Sequence, residues 1–342
     1  MARYKYDEYQ QFKTGERFIE SLALWLLQFE PKERPAAYAF VRERLVFISS
    51  AEMRRLVAEA FPTLSRPRIL ALAAESGRFH PTKLKAIASS PAYKTLLRRT
   101  LFLGLSDGAH TDLFRRTNPE ISNEQIWHAY DYSDAKAKSL GEELARDLER
   151  HLGRKPTPEE AKFRLICLLD DFTASGKTYV RPNKDGSGHG GKVATILKRL
   201  RDPNSALSAF LDIESLEAMI VIYVAAAQAI ERLEQELPKL ALPKERLALK
   251  VVHRLPTDLQ LIDARDATML ALARQERYFD KQAETEATKV GGEDVRLGFA
   301  DGRLPVVLSH NTPNNSLYLV WAEPWHKVRG LFPRVSRHRD YG

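Results

Sequence analysis

The unbroken apolar run from Leu165 to Leu169 is the feature that most constrains how this chain folds. It shows no alternation of apolar and polar residues, which is typical of a strand buried on both faces inside a parallel sheet. Other strand-like runs lie at 100–105, 218–226, 247–253 and 304–310, and helical patterns lie between runs at 136–152, 192–201, 226–237 and 264–279. Strands that alternate with helices predict an α/β fold with a mostly parallel sheet.

The first hundred residues have a different pattern of apolar residues, which predicts helices. Phe18, Leu22, Trp25 and Phe29 recur at three- and four-residue spacing and form one apolar stripe. Similar patterns continue at 36–47 and 51–61. The predicted organisation is an N-terminal helical region over 1–95, an α/β core over 96–325 and a basic tail over 326–342.

Composition excludes several classes of protein. The 342 residues are 44% hydrophobic and 29% charged, as in soluble globular proteins, and a single cysteine argues against a disulfide scaffold or a thiolate zinc cluster. No apolar run approaches the roughly 20 residues that a membrane span needs. The formal charge of +8 favours phosphate-bearing partners. We expect a soluble, cytoplasmic protein without a membrane partner, and the sequence leaves its oligomeric state open.

Two adjacent acids, Asp170 and Asp171, follow the central apolar run, and a stretch of small and hydroxyl residues follows the acids. Hydroxyls and backbone N–H groups that converge at such a loop bind a phosphate monoester. The acids would repel a phosphate and are better suited to accept hydrogen bonds from a sugar diol. Together they predict a ribose 5-phosphate site, whose phosphate-binding residues would be Thr173, Ala174, Ser175, Gly176, Lys177 and Thr178.

Two other nucleotide-binding motifs match this region less well. Gly176-Lys177-Thr178 resembles the end of a Walker A loop, but the required earlier glycine is Asp171, whose charge would repel a phosphate. Gly186, Gly188 and Gly191 match G-x-G-x-x-G formally, yet RPNK separates them from the preceding apolar residues. A glycine-rich loop leading into the next helix is the better interpretation of that segment.

The sequence DDFTASGKT resembles the phosphoribosyl-pyrophosphate (PRPP) loop of type I phosphoribosyltransferases. TLFLGLSDGAHTDLFRR and VVLSHNTPNNSLYLVWAEP resemble segments of a divergent phosphoribosyltransferase-like family from bacterial conflict and defence loci, sometimes beside reverse transcriptases as in retrons. The resemblance spans most of the chain from Trp25 to Trp325. It implies an α/β core of the type I phosphoribosyltransferase kind, and an antiphage effector with a nucleic acid or reverse-transcriptase partner.

By this resemblance, Asp170 and Asp171 are the catalytic-site acids that hold the ribose hydroxyls, and 173–178 surround the 5-phosphate. The loop Leu105–Ala109 would bind pyrophosphate, and the residues implied there are Ser106, Asp107, Gly108, Arg115 and Arg116. The resemblance implies Mg²⁺ bound mainly through the substrate, with Asp107 as the one candidate protein ligand. Hypoxanthine-type relatives have an acid at the position of Ala174, which cannot handle the proton of a base.

The segment from His310 to Ser316 is rich in amides, which are suited to reading the edge of a nucleobase. The residues that would contact a base or acceptor are His310, Asn311, Asn314, Asn315 and Trp321. A structural turn followed by a core tryptophan explains the same residues equally well. Arg115 and Arg116 likewise have a simpler interpretation as a solvated pair.

The sequence leaves three functions open. The first is transfer of a phosphoribosyl group from PRPP to a base, nucleotide or macromolecule. The second is a sensor that binds a nucleotide or sugar phosphate without transfer. The third is a nucleic-acid-associated effector, which would use the basic residues of the tail: Lys327, Arg329, Arg334, Arg337 and Arg339.

Overall fold

The apolar run at 165–169 forms the centre of a five-stranded parallel sheet in a computed structural model of the chain. The structure describes residues 18–128, 134–183, 185–205, 207–240, 246–285, 288, 290–292 and 294–334. The strands are β1 (Val46–Ile48), β2 (Thr100–Gly104), β3 (Ile126–His128), β4 (Leu165–Thr173), β5 (Arg181–Pro182), β6 (His189–Gly190), β7 (Glu217–Ala225), β8 (Leu247–Arg254) and β9 (Val306–Leu308). The helices are α1 (Phe18–Leu27), α2 (Arg34–Glu43), α3 (Ser50–Ala60), α4 (Arg66–Gly77), α5 (Leu84–Ser89), α6 (Pro91–Arg98), α7 (Thr111–Thr117), α8 (Asp134–Leu152), α9 (Lys192–Arg201), α10 (Ala227–Glu236), α11 (Asp263–Ala273) and α12 (Tyr318–Trp321).

The order of the strands across the sheet is β3-β2-β4-β7-β8, and every neighbouring pair is parallel. This confirms the α/β fold with a parallel sheet of the phosphoribosyltransferase type. After β2 the chain adds β3 on one side, and it then returns to add β4 on the other side. Open α/β sheets bind ligands at such a reversal of strand order, beyond the carboxyl ends of the strands. The loops after β2 and β4 therefore meet where a ligand site is expected.

Three elements differ from the sequence-based expectation. β4 does not end at Leu169 but continues to Thr173, so both acids lie within the strand. The expected helix over 36–47 ends at Glu43, and β1 follows it. The run at 304–310 does not join the large sheet, because β9 pairs with β1. Val46 and Ile48 are β-branched and favour this extended pairing.

The described chain divides into two compact units, residues 54–254 and residues 1–53 with 255–342. The large sheet and helices α4 to α10 lie in the first unit. The second unit has its own core, which includes Trp25, Phe29 and Tyr318. These bounds follow contacts, whereas the boundaries expected at 95/96 and 325/326 follow a change of sequence texture and stay a prediction. Residues 335–342 of the basic tail, with Arg337 and Arg339, lie outside the described residues.

No helix in the described part of the chain is long and apolar enough to cross a membrane.

The position of β4 predicts unequal costs for the same truncation at two places in the sheet. Leu168 of β4 is fully buried, whereas Leu249 of the edge strand β8 is half-buried. We expect Leu168→Ala to lower the free energy of unfolding by about 2–5 kcal/mol, because it leaves a cavity at the centre of the sheet. Leu249→Ala should cost clearly less, and urea denaturation measures both. Equal losses would contradict the assignment of β4 to the centre.

Candidate functional site

The carboxylate of Asp170 is buried at the carboxyl end of the sheet, and the residue is only 1% exposed. Its oxygens accept hydrogen bonds from Ser106 Oγ, from the hydroxyl of Tyr179 at 2.7 Å and from Lys192 Nζ at 3.0 Å. These donors belong to the loop after β2, the turn after β4 and the first residue of α9. One carboxylate therefore ties three segments of the chain together.

Burial raises the pKa of Asp170, and the neighbouring charge of Asp171 raises that pKa further. Lys192, Ser106 and Tyr179 act in the opposite direction, because each stabilises the ionised carboxylate. Burial also raises the pKa of Tyr179 well above its ordinary value, which keeps this hydroxyl a hydrogen-bond donor.

Asp171 has a different environment from its neighbour, because successive side chains of a strand point to opposite faces. It is half-buried, and its carboxylate lies against the backbone of Gly108. A Cβ atom at Gly108 would lie only 2.4 Å from Oδ2 of Asp171, so a residue other than glycine would displace this carboxylate. The predicted pyrophosphate loop and the second acid are therefore brought together, and the two acids are not equivalent, although the sequence predicts one shared role for them.

The loop after β2 is anchored at both ends. The N–H of Leu105 donates to the carbonyl of Leu169 at 2.8 Å, and the hydroxyl of Tyr223 in β7 donates to the carbonyl of Ala109 at 2.7 Å. Asp107, at the outer part of this loop, is exposed. Arg115 and Arg116 are exposed on the last turn of α7, which agrees with either interpretation of this pair.

The predicted phosphate loop packs on α10. Gly176 has a φ of +69°, and a Cβ atom there would lie 3.1 Å from Leu233 and 3.3 Å from the carbonyl of Ala229. The N–H of Gly176 donates to Thr173 Oγ1 at 3.3 Å, and the N–H of Lys177 donates to Ser175 Oγ at 3.4 Å. These bonds are long for N–H···O bonds. The loop thus satisfies its own backbone groups weakly.

Exposure divides the six residues of this loop into two groups. Thr173, Ala174 and Gly176 are buried, whereas Ser175 and Lys177 are half-buried and Thr178 is exposed. The side chains of Thr173 and Ala174 therefore shape the loop from inside, and contact of all six residues with a phosphate stays a prediction. Burial lowers the pKa of Lys177, and the nearby charge of Arg232 lowers it further.

The loop does not lead directly into a helix. The turn at 177–179 is followed by the hairpin of β5 and β6, and α9 begins only at Lys192. This connection differs from the strand–loop–helix of a Walker A site and agrees with setting that motif aside. The start of α9 nevertheless lies beside the loop, because the N–H of Lys192 donates to the carbonyl of Thr178 at 2.9 Å.

A cavity of about 460 Å³ opens between the loop and the start of α9. Leu105 lines it from the end of β2, and Thr178 lines it from the phosphate loop. The cationic side chains around it are those of Arg181, Lys192 and Arg199. A space bounded by three cations and a hydroxyl suits a phosphate group.

Sequence reasoning did not find Tyr179, Lys192 or Arg181. Each is a common surface or core residue type, and no motif marks them. The glycine before Lys192 is the one available signal: Gly191 has a φ of +108°, and a Cβ atom there would lie 2.4 Å from the carbonyl of Tyr179. A glycine required by so close an approach indicates that the loop and the start of α9 pack together.

The amide-rich segment at 310–316 lies in the other compact unit, where it closes β9. The N–H of Thr312 donates to Oδ1 of Asn311, which forms a local turn. Asn315 is buried and donates to the carbonyl of Phe299, and Trp321 is 2% exposed with its indole N–H bonded to the carbonyl of Ser316. These contacts agree with the structural alternative for Asn315 and Trp321, and their contact with a base stays a prediction.

The remaining members of that segment have more accessible side chains. His310 is exposed, and Asn311 and Asn314 are half-buried. Their contact with a base or acceptor stays a prediction.

A protein-family model described as PRTase-CE matches residues 22–334. The match covers most of the chain, so the chain belongs to this phosphoribosyltransferase-like family. Neither the curated proteins nor the solved structures include a match to the chain.

The raised pKa of Asp170 predicts how its replacement depends on pH. Ionisation of this buried group costs folding free energy, so its contribution is most favourable below the unfolded pKa of about 3.9 and is lost as the pH rises through the higher folded value. Asp170→Asn cannot ionise. We expect the difference in free energy of unfolding, variant minus wild type, to increase as the pH rises from about 4.5 toward 8.

Chemical denaturation of both proteins across this range gives the difference directly. Lys192 is 39% exposed at its side chain and stays hydrated in the variant, so it introduces no buried unpaired charge. A difference that falls with rising pH would mean that the Asp170 carboxylate is stabilised in its ionised form.

Proposed function

We propose that the chain binds PRPP where β2 and β4 end, and transfers its phosphoribosyl group to an acceptor. The contact between the Gly108 backbone and the carboxylate of Asp171 carries the proposal, because it unites the two loops that the family resemblance assigns to pyrophosphate and ribose. Family membership over residues 22–334 supports the same class of reaction.

The accessible groups suit distinct parts of this ligand. Asp171 is half-buried and would accept hydrogen bonds from the ribose hydroxyls. Backbone N–H groups of Gly176 and Lys177 now make long bonds to loop hydroxyls, so the stronger oxygens of a 5-phosphate can replace those acceptors. Asp170 would act as a positioning residue that holds Ser106 and Lys192 in place.

In the proposed reaction the bond between C1 of the ribose and the diphosphate oxygen breaks, and its electron pair leaves with the diphosphate. A lone pair of the acceptor then forms the new bond to C1, and the acceptor proton passes to solvent. The chain contributes mainly orientation and positive charge for the departing diphosphate. Arg181, Lys192 and Arg199 around the cavity, and Arg115 and Arg116 beyond the pyrophosphate loop, are the cations available.

Magnesium fits this site as an ion held mostly by substrate oxygens. The exposed carboxylate of Asp107 is an oxygen donor of the kind that Mg²⁺ takes, and no group of three or more metal-binding side chains occurs among the described residues. When bound, Mg²⁺ would neutralise charge on the diphosphate.

A sensor that binds PRPP without transferring it is the second candidate. The methyl group of Ala174, only 2% exposed, occupies the position where hypoxanthine-type relatives have an acid, and it favours this alternative. The defence role, the reverse-transcriptase or nucleic-acid partner and the cytoplasmic location stay predictions from the resemblance and the composition.

Calorimetry with PRPP and Mg²⁺, joined to an assay of pyrophosphate release, tests the proposal and separates the candidates. Binding with release across a panel of bases and nucleotides supports a transferase. Binding without release supports the sensor, and a folded protein that binds no PRPP excludes both.

Replacement of Asp171 tests the ribose contact. We expect Asp171→Asn to weaken PRPP binding by about 1.5–3 kcal/mol, because it removes the charge from hydrogen bonds to the sugar hydroxyls. Asp185→Asn, an exposed change in the hairpin that follows, is the matched control and should leave the affinity unchanged. Equal affinities of wild type and Asp171→Asn would contradict the assignment.

Replacement of Gly108 tests the contact between the two loops. The Cβ atom of Gly108→Ala would push the carboxylate end of Asp171, which can rotate, so the free energy of unfolding should change little. PRPP affinity should fall by about tenfold, or 1.4 kcal/mol, because the displaced carboxylate no longer meets the ribose.

Gly190→Ala is the control, since its Cβ atom would meet only the end of the Asn183 side chain. Loss of affinity in Gly190→Ala as large as in Gly108→Ala would remove the special role of the contact.

A further inference from the structure

A second cavity, of about 780 Å³, lies along α9 and has a strongly basic lining. Lys198 and Arg201 line it from α9, and Lys239 and His189 line it from the segments opposite. We call this cavity the basic groove. Lys198 and Arg201 are three residues apart on one helix, so they lie on neighbouring positions of the same face.

The acidic groups in the basic groove do not balance its cations. Among the described residues that line the groove, Asp202 is the one carboxylate. Behind the lining, Glu236 bonds to Lys239 at 2.9 Å and lies 3.6 Å from His189. These acids leave an excess of positive charge on the side of α9, where Lys198 and Arg199 are exposed.

Arg201 gives a specific reason to expect an anionic ligand. Its Nη2 atom is buried and has no hydrogen-bond partner within the described structure. A buried donor without an acceptor is costly, and a guanidinium group that borders a cavity can gain a partner from a ligand oxygen. Burial also lowers the pKa of Arg201, because the charged guanidinium group is partly removed from water.

The basic groove adjoins the cavity beside the phosphate loop. Thr195 and Arg199 line both cavities, so one ligand lying across these two residues can contact both. Leu197 and Leu240 supply apolar surface in the basic groove, on which a base or sugar can lie. The combined site therefore offers cations, an apolar surface and access to the ribosyl site.

We propose that the basic groove binds the phosphates of the acceptor, which is a nucleotide or a nucleic acid strand and not a free base. That the ligand is the acceptor of the reaction rests on the proposed function. Phosphate binding in the basic groove can be tested by itself, through binding measurements alone. Phosphate is favoured over other anions because guanidinium groups bind its oxygens bidentately, and a stacked strand repeats one phosphate about every 3.4 Å. An acidic peptide is the competing ligand that the test must exclude.

The experiment measures binding of the full chain to fluorescent single-stranded DNA and RNA of about ten nucleotides, and to ATP, over a range of salt concentrations. The groove variant is Lys198→Glu with Arg201→Gln. The control is Lys85→Glu with Lys94→Gln, which makes the same change in charge at exposed positions of α5 and α6 that line neither cavity. PRPP calorimetry on every protein reports the ribosyl site separately.

We expect the groove variant to bind the oligonucleotides or ATP at least about tenfold more weakly, with a salt dependence less steep by about 0.7 for each phosphate that the groove no longer neutralises. The groove variant should keep the wild-type affinity for PRPP. The control variant should keep the wild-type affinities for PRPP, ATP and the oligonucleotides. Lys198→Glu alone, at an exposed position, should show a smaller loss in the same direction and serves if the double variant folds poorly. Binding of ATP without the oligonucleotides identifies a mononucleotide acceptor, and binding of the strands identifies a nucleic acid.

Three results would overturn the inference. One is wild-type protein that binds neither ATP nor an oligonucleotide at low salt. Another is nucleotide or oligonucleotide affinity that the groove variant leaves unchanged. The third is a poly-glutamate peptide that displaces the oligonucleotides as well as ATP does. If wild-type protein binds PRPP in these cases, only the inference about the groove fails and the proposed function survives. Wild-type protein that binds no PRPP refutes the proposed function instead.

Discussion

The site depends on the burial of one carboxylate at the end of the central strand. A carboxylate as enclosed as that of Asp170 is costly unless donors surround it. Ser106, Tyr179 and Lys192 supply those donors from three separate segments. The cost of burial is therefore offset only when the loop after β2, the turn after β4 and the start of α9 are all in place. The arrangement of these three segments is therefore coupled to the stability of the fold.

The alternation of a β-strand explains why two adjacent acids have different environments. Asp170 points into the packed interior, and Asp171 points to the opposite face, against the backbone of Gly108. Asp170 bonds to three surrounding segments, and Asp171 is half-buried beside Gly108. Two acids that form one motif in the sequence therefore have different surroundings. Under the proposed function Asp170 would position the loops and Asp171 would contact the ribose.

Helix α9 contributes charged residues both to the bonds around Asp170 and to the two cavities. Its first residue, Lys192, pairs with the buried carboxylate, and Arg199 borders both cavities. Cationic residues of this helix therefore line both the cavity beside the phosphate loop and the basic groove.

The sequence by itself determined the class of fold, the central strand and the family to which the chain belongs. Apolar periodicity and the order of residue types are local properties, and the run at 165–169 or the string DDFTASGKT expresses them fully. Only the tertiary structure decided that β4 includes both acids, that Lys192 and Tyr179 join Asp170, and that Trp321 is a core residue. These outcomes depend on which strands become neighbours. The order β3-β2-β4 brings residues 106 and 170 together across 64 positions, and no local pattern records such a contact.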